Sequence, residues 1–307
     1  MENESRSDRA RGALVGLGVG DALGAPLEFT RRDEKPPVTQ MQGGGPFGLP
    51  AGYWTDDTSM ALCLGESLLA SGFDLDDQLS RYLQWMEHGH LSSTGTCFDT
   101  GNQTKHALGA YRQTGQTLST GDPNSSGNGT IMRLAPVPIA YWKDVAEAAE
   151  KSKKQSFTTH ASPEAAEACF VLGAMMATAI QGATKNEILD VGEQLGPGLR
   201  SEAHRRVFAG SYKVKSRDQI SSSGYVVSTL EAALWAFFKT ETFEDALVLA
   251  VNLGDDSDTV GAVCGELAGA HYGERGIPET WLTPLHDHEM IEEMADSLFG
   301  LGPAQSR

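Results

Sequence analysis

Apolar residues recur at helical spacing from end to end of the chain, in segments rich in Ala and Leu, while the strict alternation that marks a half-buried strand is sparse. The pattern predicts an all-α fold with helices near Arg9 to Ala25, Asp57 to Ser71, Leu75 to Glu87, Gly101 to Tyr111, Ser162 to Gln181, Lys185 to Glu193, Gly224 to Lys239, Thr242 to Leu253, Thr259 to Tyr272 and Glu289 to Leu298. Two long stretches interrupt it: Arg31 to Tyr53, rich in Gly and Pro, and Gln113 to Asn128, rich in Ser, Thr and Gly. Loops of such length in compact domains are commonly functional. No composition shift marks a boundary, so residues 10–300 read as one domain, with a disordered polar segment over residues 1–9 and a frayed end over 301–307.

The first helix places Gly12, Gly16, Gly20 and Gly24 every fourth residue, and a late helix does the same with Gly261, Gly265 and Gly269. Each glycine costs a helix about 1 kcal/mol relative to alanine, so the repetition implies a compensating close approach of backbones. If these smooth faces meet antiparallel, Glu28, just past the first helix, lies beside Asp256 and Asp258 at the start of the late one.

Composition narrows the function classes. The 24 Lys and Arg against 41 Asp and Glu give a formal charge of −17, unlike a protein that tracks a nucleic-acid backbone. The cysteines Cys63, Cys97, Cys169 and Cys264 form no C-x-x-C pair, so neither a zinc knuckle nor a redox dithiol is suggested and a reducing cytoplasm fits. Met1 to Arg11 is polar and the apolar stretch after Gly12 is broken at Asp21, so neither a signal peptide nor a membrane span is expected. With no extended heptad, a monomer is the expectation.

The chemistry resides in acidic clusters at helix starts. Trp54-Thr55-Asp56-Asp57-Thr58 precedes an apolar helix and, alone, would read as an N-cap. Gly254-Asp255-Asp256-Ser257-Asp258-Thr259 repeats the arrangement with more carboxylates than capping requires, and their repulsion calls for a cation or solvent. Oxygen donors without nearby Cys or His suit Mg²⁺ or Mn²⁺ rather than zinc. Asp21 as a structural hydrogen-bond partner and Glu28 as a solvated surface residue are both undecided from the local sequence. Asn128-Gly129-Thr130 can offer backbone amides to an anion or form a tight turn. His88-Gly89-His90 and His286-Asp287-His288 lack a further ligand and read as solvent-facing, while Trp85, Trp142 and Trp235 read as core.

Taken together, Gly20 to Gly24 with Glu28, Trp54 to Thr58, Cys97 to Asn102, Gly127 to Arg133, Thr159-His160 and Gly254 to Thr259 resemble, in order, the motifs of the ADP-ribosylglycohydrolase family, especially its dinitrogenase reductase activating branch. The resemblance spans residue 12 to about 273. It implies a compact orthogonal helical bundle with a binuclear Mg²⁺ or Mn²⁺ centre beneath an ADP-ribose cleft. Carried over by position, Thr55, Asp56, Asp57, Asp256, Asp258 and Thr259 hold the metals, with Glu28 beside them as ligand or gate. Asp99 orients substrate or moves a proton, as Asp57 or Asp256 can; Asn102, Asn128, Gly129, Thr130 and His160 contact substrate. The chain departs at Asp255, where the family often has glycine, and a solvent-facing side chain is expected there.

The reaction implied is hydrolysis of the glycosidic bond between ADP-ribose and an acceptor, arginine on a protein first, with serine adducts, O-acetyl-ADP-ribose and modified nucleic acid as alternatives. A two-metal phosphoesterase is a competing enzymatic reading. A non-catalytic or dual-role immunity protein that blocks an ADP-ribosylating toxin is the competing binding one.

Overall fold

The computed structural model describes residues 2–301, and among these no strand is present; the sheet-like contacts are isolated bridges, Gly44 to Leu49 and Gly127 to Tyr225. The helices, in chain order, are α1 (Glu2–Gly24), α2 (Asp56–Ser71), α3 (Leu75–His88), α4 (Asn102–Thr114), α5 (Pro136–Ala140), α6 (Val145–Ser156), α7 (Pro163–Ile180), α8 (Lys185–Leu195), α9 (Glu202–Phe208), α10 (Val226–Lys239), α11 (Phe243–Val251), α12 (Ser257–Tyr272), α13 (Glu279–Leu282) and α14 (His288–Gly300). The all-α expectation holds, and each helix read from the periodicity is present.

The glycine stripes do what their spacing implies. A methyl group added at Gly12, Gly16 or Gly20 would run into the backbone carbonyl of Gly269, Gly265 or Gly261 respectively, and one at Gly24 into that of Ser257. Partner numbers fall as the first set rises, so α1 and α12 run antiparallel at backbone contact. Every residue of α12 from Ser257 to Ala270 is buried, as is α1 from Gly12 to Gly24, so this pair is the axis of the core. The remaining apolar faces close around it. α7 is long and apolar enough to cross a membrane by length and composition, but its residues are mostly buried in this core.

One expectation about the ends is corrected. Residues 2–9 are not disordered: α1 begins at Glu2, with Arg9 donating to the Ala179 carbonyl (2.7 Å) and Asp8 accepting from the Arg275 amide (3.3 Å). Residue 301 is a turn, and the rest of the end expected to fray, 302–307, lies outside the described residues. The sequence also passed over α5, α6, α9 and α13. α6 buries Ala148, Ala149, Ser152 and Gln155, a face of small and polar residues without large apolar ones; Ser152 fills the space left by Gly173 of α7. α9 and α13 are too short for periodicity, and α5 carries prolines at positions 136 and 138.

His286 and His288 are not solvent-facing. His286 stacks on Tyr53 at 4.3 Å between ring centroids, and His288 Nε2 lies 2.9 Å from Glu274 Oε1, itself bound to Arg11. Trp85, Trp142 and Trp235 are buried as expected.

Candidate active site

At the end of the α1–α12 pair, α1 stops at Gly24, a short turn over Ala25–Leu27 follows, and Glu28 comes to face the start of α12. Glu28 Oε2 accepts from the Ser257 amide (3.0 Å), and the Ser257 hydroxyl donates to the Gly24 carbonyl (2.9 Å), so Glu28 caps α12 from outside it. Asp21 does the same for α2. Its carboxylate accepts from the Thr55 amide (2.9 Å) and hydroxyl (3.0 Å), and from the Thr58 amide (3.0 Å) and hydroxyl (2.7 Å). Because Asp21 of α1 and Glu28 just beyond it supply these caps, the acidic residues at the starts of α2 and α12 are not consumed as N-caps, the role each would take in isolation.

Asp56 and Asp57 therefore project from α2, and Asp256 and Asp258 from α12, into a shared cleft of about 910 Å³ that Glu28, Asp99, Asn102, Asn128, Gly129, His160 and Thr259 also line. This is the size of a pocket that encloses a nucleotide-sized ligand. Oxygens of Glu28, Asp99 and Asp258 lie within 4.8 Å of one another. Thr259 donates through its hydroxyl to Asp57 Oδ1 (3.4 Å). Thr55 is set back behind these groups, its hydroxyl shared between Asp21 and Asp258 Oδ2 (3.4 Å).

Burial, followed by mutual repulsion, holds Asp56, Asp57 and Asp258 well above the usual carboxylate range. Burial also pushes Glu28 up to about 8, and Asp99 to about 7 with help from Asp21 and Asp256. Among the described residues no lysine or arginine lines the cleft, and Asp57 Oδ2 is buried without a hydrogen-bond partner. An all-oxygen, electron-rich floor with an orphaned buried carboxylate oxygen fits hard divalent cations, which would remove the repulsion.

The second wall is the Gly127 to Thr130 segment. The Asn128 amide is already donated to the Gly224 carbonyl (3.2 Å), and its side chain donates to Asp256 Oδ2 (2.6 Å) and Thr229 Oγ1 (3.0 Å), so Asn128 positions Asp256. Thr130, expected to offer its backbone amide to substrate, is fully buried and is not among the residues lining the cleft; its carbonyl accepts from Gln155 Nε2 (3.0 Å). His160 lies against this segment; a Cβ on Gly127 or Gly129 would come within 3.1 Å of its ring. Arg133, wholly buried, donates to Thr159 Oγ1 (2.8 Å), and that hydroxyl meets His160 Nδ1 (2.9 Å). Thr159 Oγ1 accepts from Arg133, and turning its own proton to Nδ1, the acceptor in reach, leaves the ring hydrogen on Nε2, on the cleft side. Burial and then Arg133 hold the His160 pKa at about 3, so the ring is a neutral donor.

Asp99 sits in left-handed backbone (φ 56°) and does not cap α4, whose N-cap is Gly101. Phe29 and Asp255 share this unusual conformation (φ 56° and 57°), so backbone strain concentrates around the cleft. The Asp255 side chain is exposed, as expected, and its backbone bonds Phe29 and Thr30. Sequence reasoning missed the role of Asp21 as a cap, Thr229, and the cleft-lining Ser223 and Gly224, which carry no motif. The Phe29 position was missed as well.

The ADP-ribosylglycohydrolase family profile matches residues 2–307. "ADP-ribosylarginine hydrolase Tri1" of Pseudomonas putida (strain GB-1) is 45% identical over 304 residues, spanning 98% of this chain and 80% of the relative. "ADP-ribosyl-[dinitrogen reductase] glycohydrolase" of Rhodospirillum rubrum is 35% identical over 311 residues, spanning 98% and 99%. A solved "ADP-ribosylglycohydrolase-related protein complex" superposes with a TM-score of 0.87 at 44% identity, over 97% of this chain and 99% of that one.

Proposed function

The chain belongs to the ADP-ribosylglycohydrolase family, and on that premise we propose that it hydrolyses the bond between ADP-ribose and arginine on a modified protein, with two divalent cations, Mg²⁺ or Mn²⁺, held in the acidic cleft. The observation that carries the reading is the convergence of Asp56, Asp57, Asp256 and Asp258 from two helix starts whose caps are supplied by Asp21 and Glu28. Relatives at 45% and 44% identity, from Pseudomonas putida and Serratia proteamaculans, carry the name ADP-ribosylarginine hydrolase.

Thr55, Asp56, Asp57, Asp256, Asp258 and Thr259 would hold the cations. When bound, these supply positive charge that orients the ribose hydroxyls and a water and offsets charge developing at the glycosidic carbon. Asn128 fixes the rotamer of Asp256. His160, as a neutral Nε2–H donor beside the glycine-lined segment, gives a hydrogen bond to the diphosphate without a charge of its own. Asp99, beside Glu28 at the outer edge of the floor, orients the acceptor and moves the proton that the departing guanidine takes up. The four free cysteines suit a reducing cytoplasm, and the net charge of −17 suits a protein substrate over nucleic acid.

The test is to incubate the metal-loaded protein with an arginine-ADP-ribosylated peptide, with and without EDTA, and separate the products. Intact ADP-ribose, released only with metal, is expected. Release of phosphate or of a nucleoside monophosphate would replace the glycohydrolase reading with a phosphoesterase.

A further inference from the structure

The mouth of the cleft carries an aromatic feature that the reaction outlined above does not use. Phe29 follows Glu28 directly and is 70% exposed, forgoing the burial a phenylalanine ring ordinarily gains. Its left-handed backbone, disfavoured for a bulky residue, is imposed by hydrogen bonds to and from the segment carrying Asp256: the Phe29 amide donates to the Asp255 carbonyl (2.8 Å), and the Asp255 amide to the Thr30 carbonyl (2.7 Å). Phe47, from the long loop after α1, lies with its centroid 6.3 Å from Phe29 and 5.2 Å from Phe98. Phe98 in turn directly precedes Asp99. The rings thus link the two segments that bring Glu28 and Asp99 together, where those carboxylates approach within 4.8 Å.

We infer that Phe29, backed by Phe47 and Phe98, forms the acceptor subsite of the cleft and takes the planar guanidinium of the modified arginine against the Glu28 and Asp99 carboxylates. The inference rests on the arginine-directed reading above. A phenylalanine ring offers no hydrogen bond to a ribose or a diphosphate. It does offer a negative face to a cation, and a guanidinium is flat, delocalised and weakly hydrated, so it stacks on such a face while its edge N–H groups reach carboxylates in its own plane. An aromatic ring bordered by carboxylates matches those requirements together, whereas the neutral oxygen of a serine adduct uses neither. The strain at Phe29 places the ring at the mouth, where an unstrained backbone would let it fold away.

The test uses the full-length, metal-loaded protein with ADP-ribose bound. Agmatine, which carries a guanidinium, and its uncharged urea analogue are titrated by calorimetry into the parent, Phe29→Leu and Phe29→Gly. The glycine variant relieves the left-handed backbone, so a loss of binding there is not misfolding, and melting curves check both. The parent is expected to prefer agmatine to the urea analogue. Each variant should weaken agmatine by about fivefold to tenfold, a range within that of a single cation–π contact, and leave ADP-ribose affinity within about twofold. Equal binding of the two probes by the parent, unchanged agmatine affinity in the variants, or an equal loss of ADP-ribose affinity would overturn the inference, the last by assigning the rings to the nucleotide. Agmatine preference lost in the variants of a protein that releases no ADP-ribose from arginine adducts would support the subsite while removing the reaction. Arginine-adduct turnover with a parental KM in both variants would remove the subsite alone.

Discussion

Replacing Asp21 by alanine tests how the site is built, because this residue does not line the cleft and yet sets the start of α2. Its carboxylate accepts from two backbone amides and two hydroxyls, of Thr55 and Thr58, at 2.7–3.0 Å, all buried. The hydroxyls can turn to other acceptors, Thr55 toward Asp258, but the amides cannot, and each buried orphan amide costs about 1–3 kcal/mol. That gives a loss of about 4 kcal/mol. Against it stands relief of the repulsion Asp21 exerts on Asp56, Asp57 and Asp99, each of which it holds in a more protonated state. In the metal-free protein Asp56 and Asp57 relieve most of that repulsion by holding protons, so the amides win and a net loss of about 3 kcal/mol remains. For a chain of this size the melting temperature should fall by roughly 5 °C in the metal-free protein, read by calorimetry. Metal affinity should fall too, because Asp56 and Asp57 ride on the uncapped turn. A melting temperature within about 1 °C of the parent would show that water or another side chain caps α2 and that Asp21 does not organise the site.

Gly265→Ala should cost at least about 3 kcal/mol, since its Cβ meets the Gly16 backbone carbonyl, whereas Gly109→Ala in α4, with open space around it, should stabilise by about 1 kcal/mol; paired denaturant curves compare them. Asp256→Ala should abolish turnover while the far-ultraviolet dichroism stays parental, and retained turnover would remove that residue from the site. EDTA-treated protein should lose stability as pH rises. Glu28 and Asp99 have folded pKa values of about 8 and about 7, above their ordinary ones, so the folded state keeps protons that the unfolded chain releases near pH 4, and the stabilisation is lost through pH 7 to 8. Metal-saturated protein should not show this decline, and melting curves at pH 5 and pH 8 with and without chelator would reveal it.

What could be read from sequence follows from where the information is local. Glycine every fourth residue in two helices predicted their antiparallel contact, because no other side chain permits backbones to touch. The carboxylate clusters were legible because repulsion makes them costly without a purpose. The cap that Asp21 supplies to α2 was not, since it joins positions 34 to 37 residues apart and leaves no periodic trace. Helix α6 was missed because alanine, serine and glutamine form its inner face. Phe29 was invisible for a different reason: a phenylalanine reads as core unless the backbone forbids it, and that backbone is set by Asp255, more than two hundred residues away.

The most direct test of the central claim is single-turnover cleavage of matched arginine- and serine-ADP-ribosylated peptides, with Mg²⁺, Mn²⁺ or EDTA, read by mass spectrometry. Metal-dependent release of intact ADP-ribose, faster from the arginine peptide, is the predicted result. Release that persists in EDTA, or no release from the arginine peptide with either metal, would contradict it.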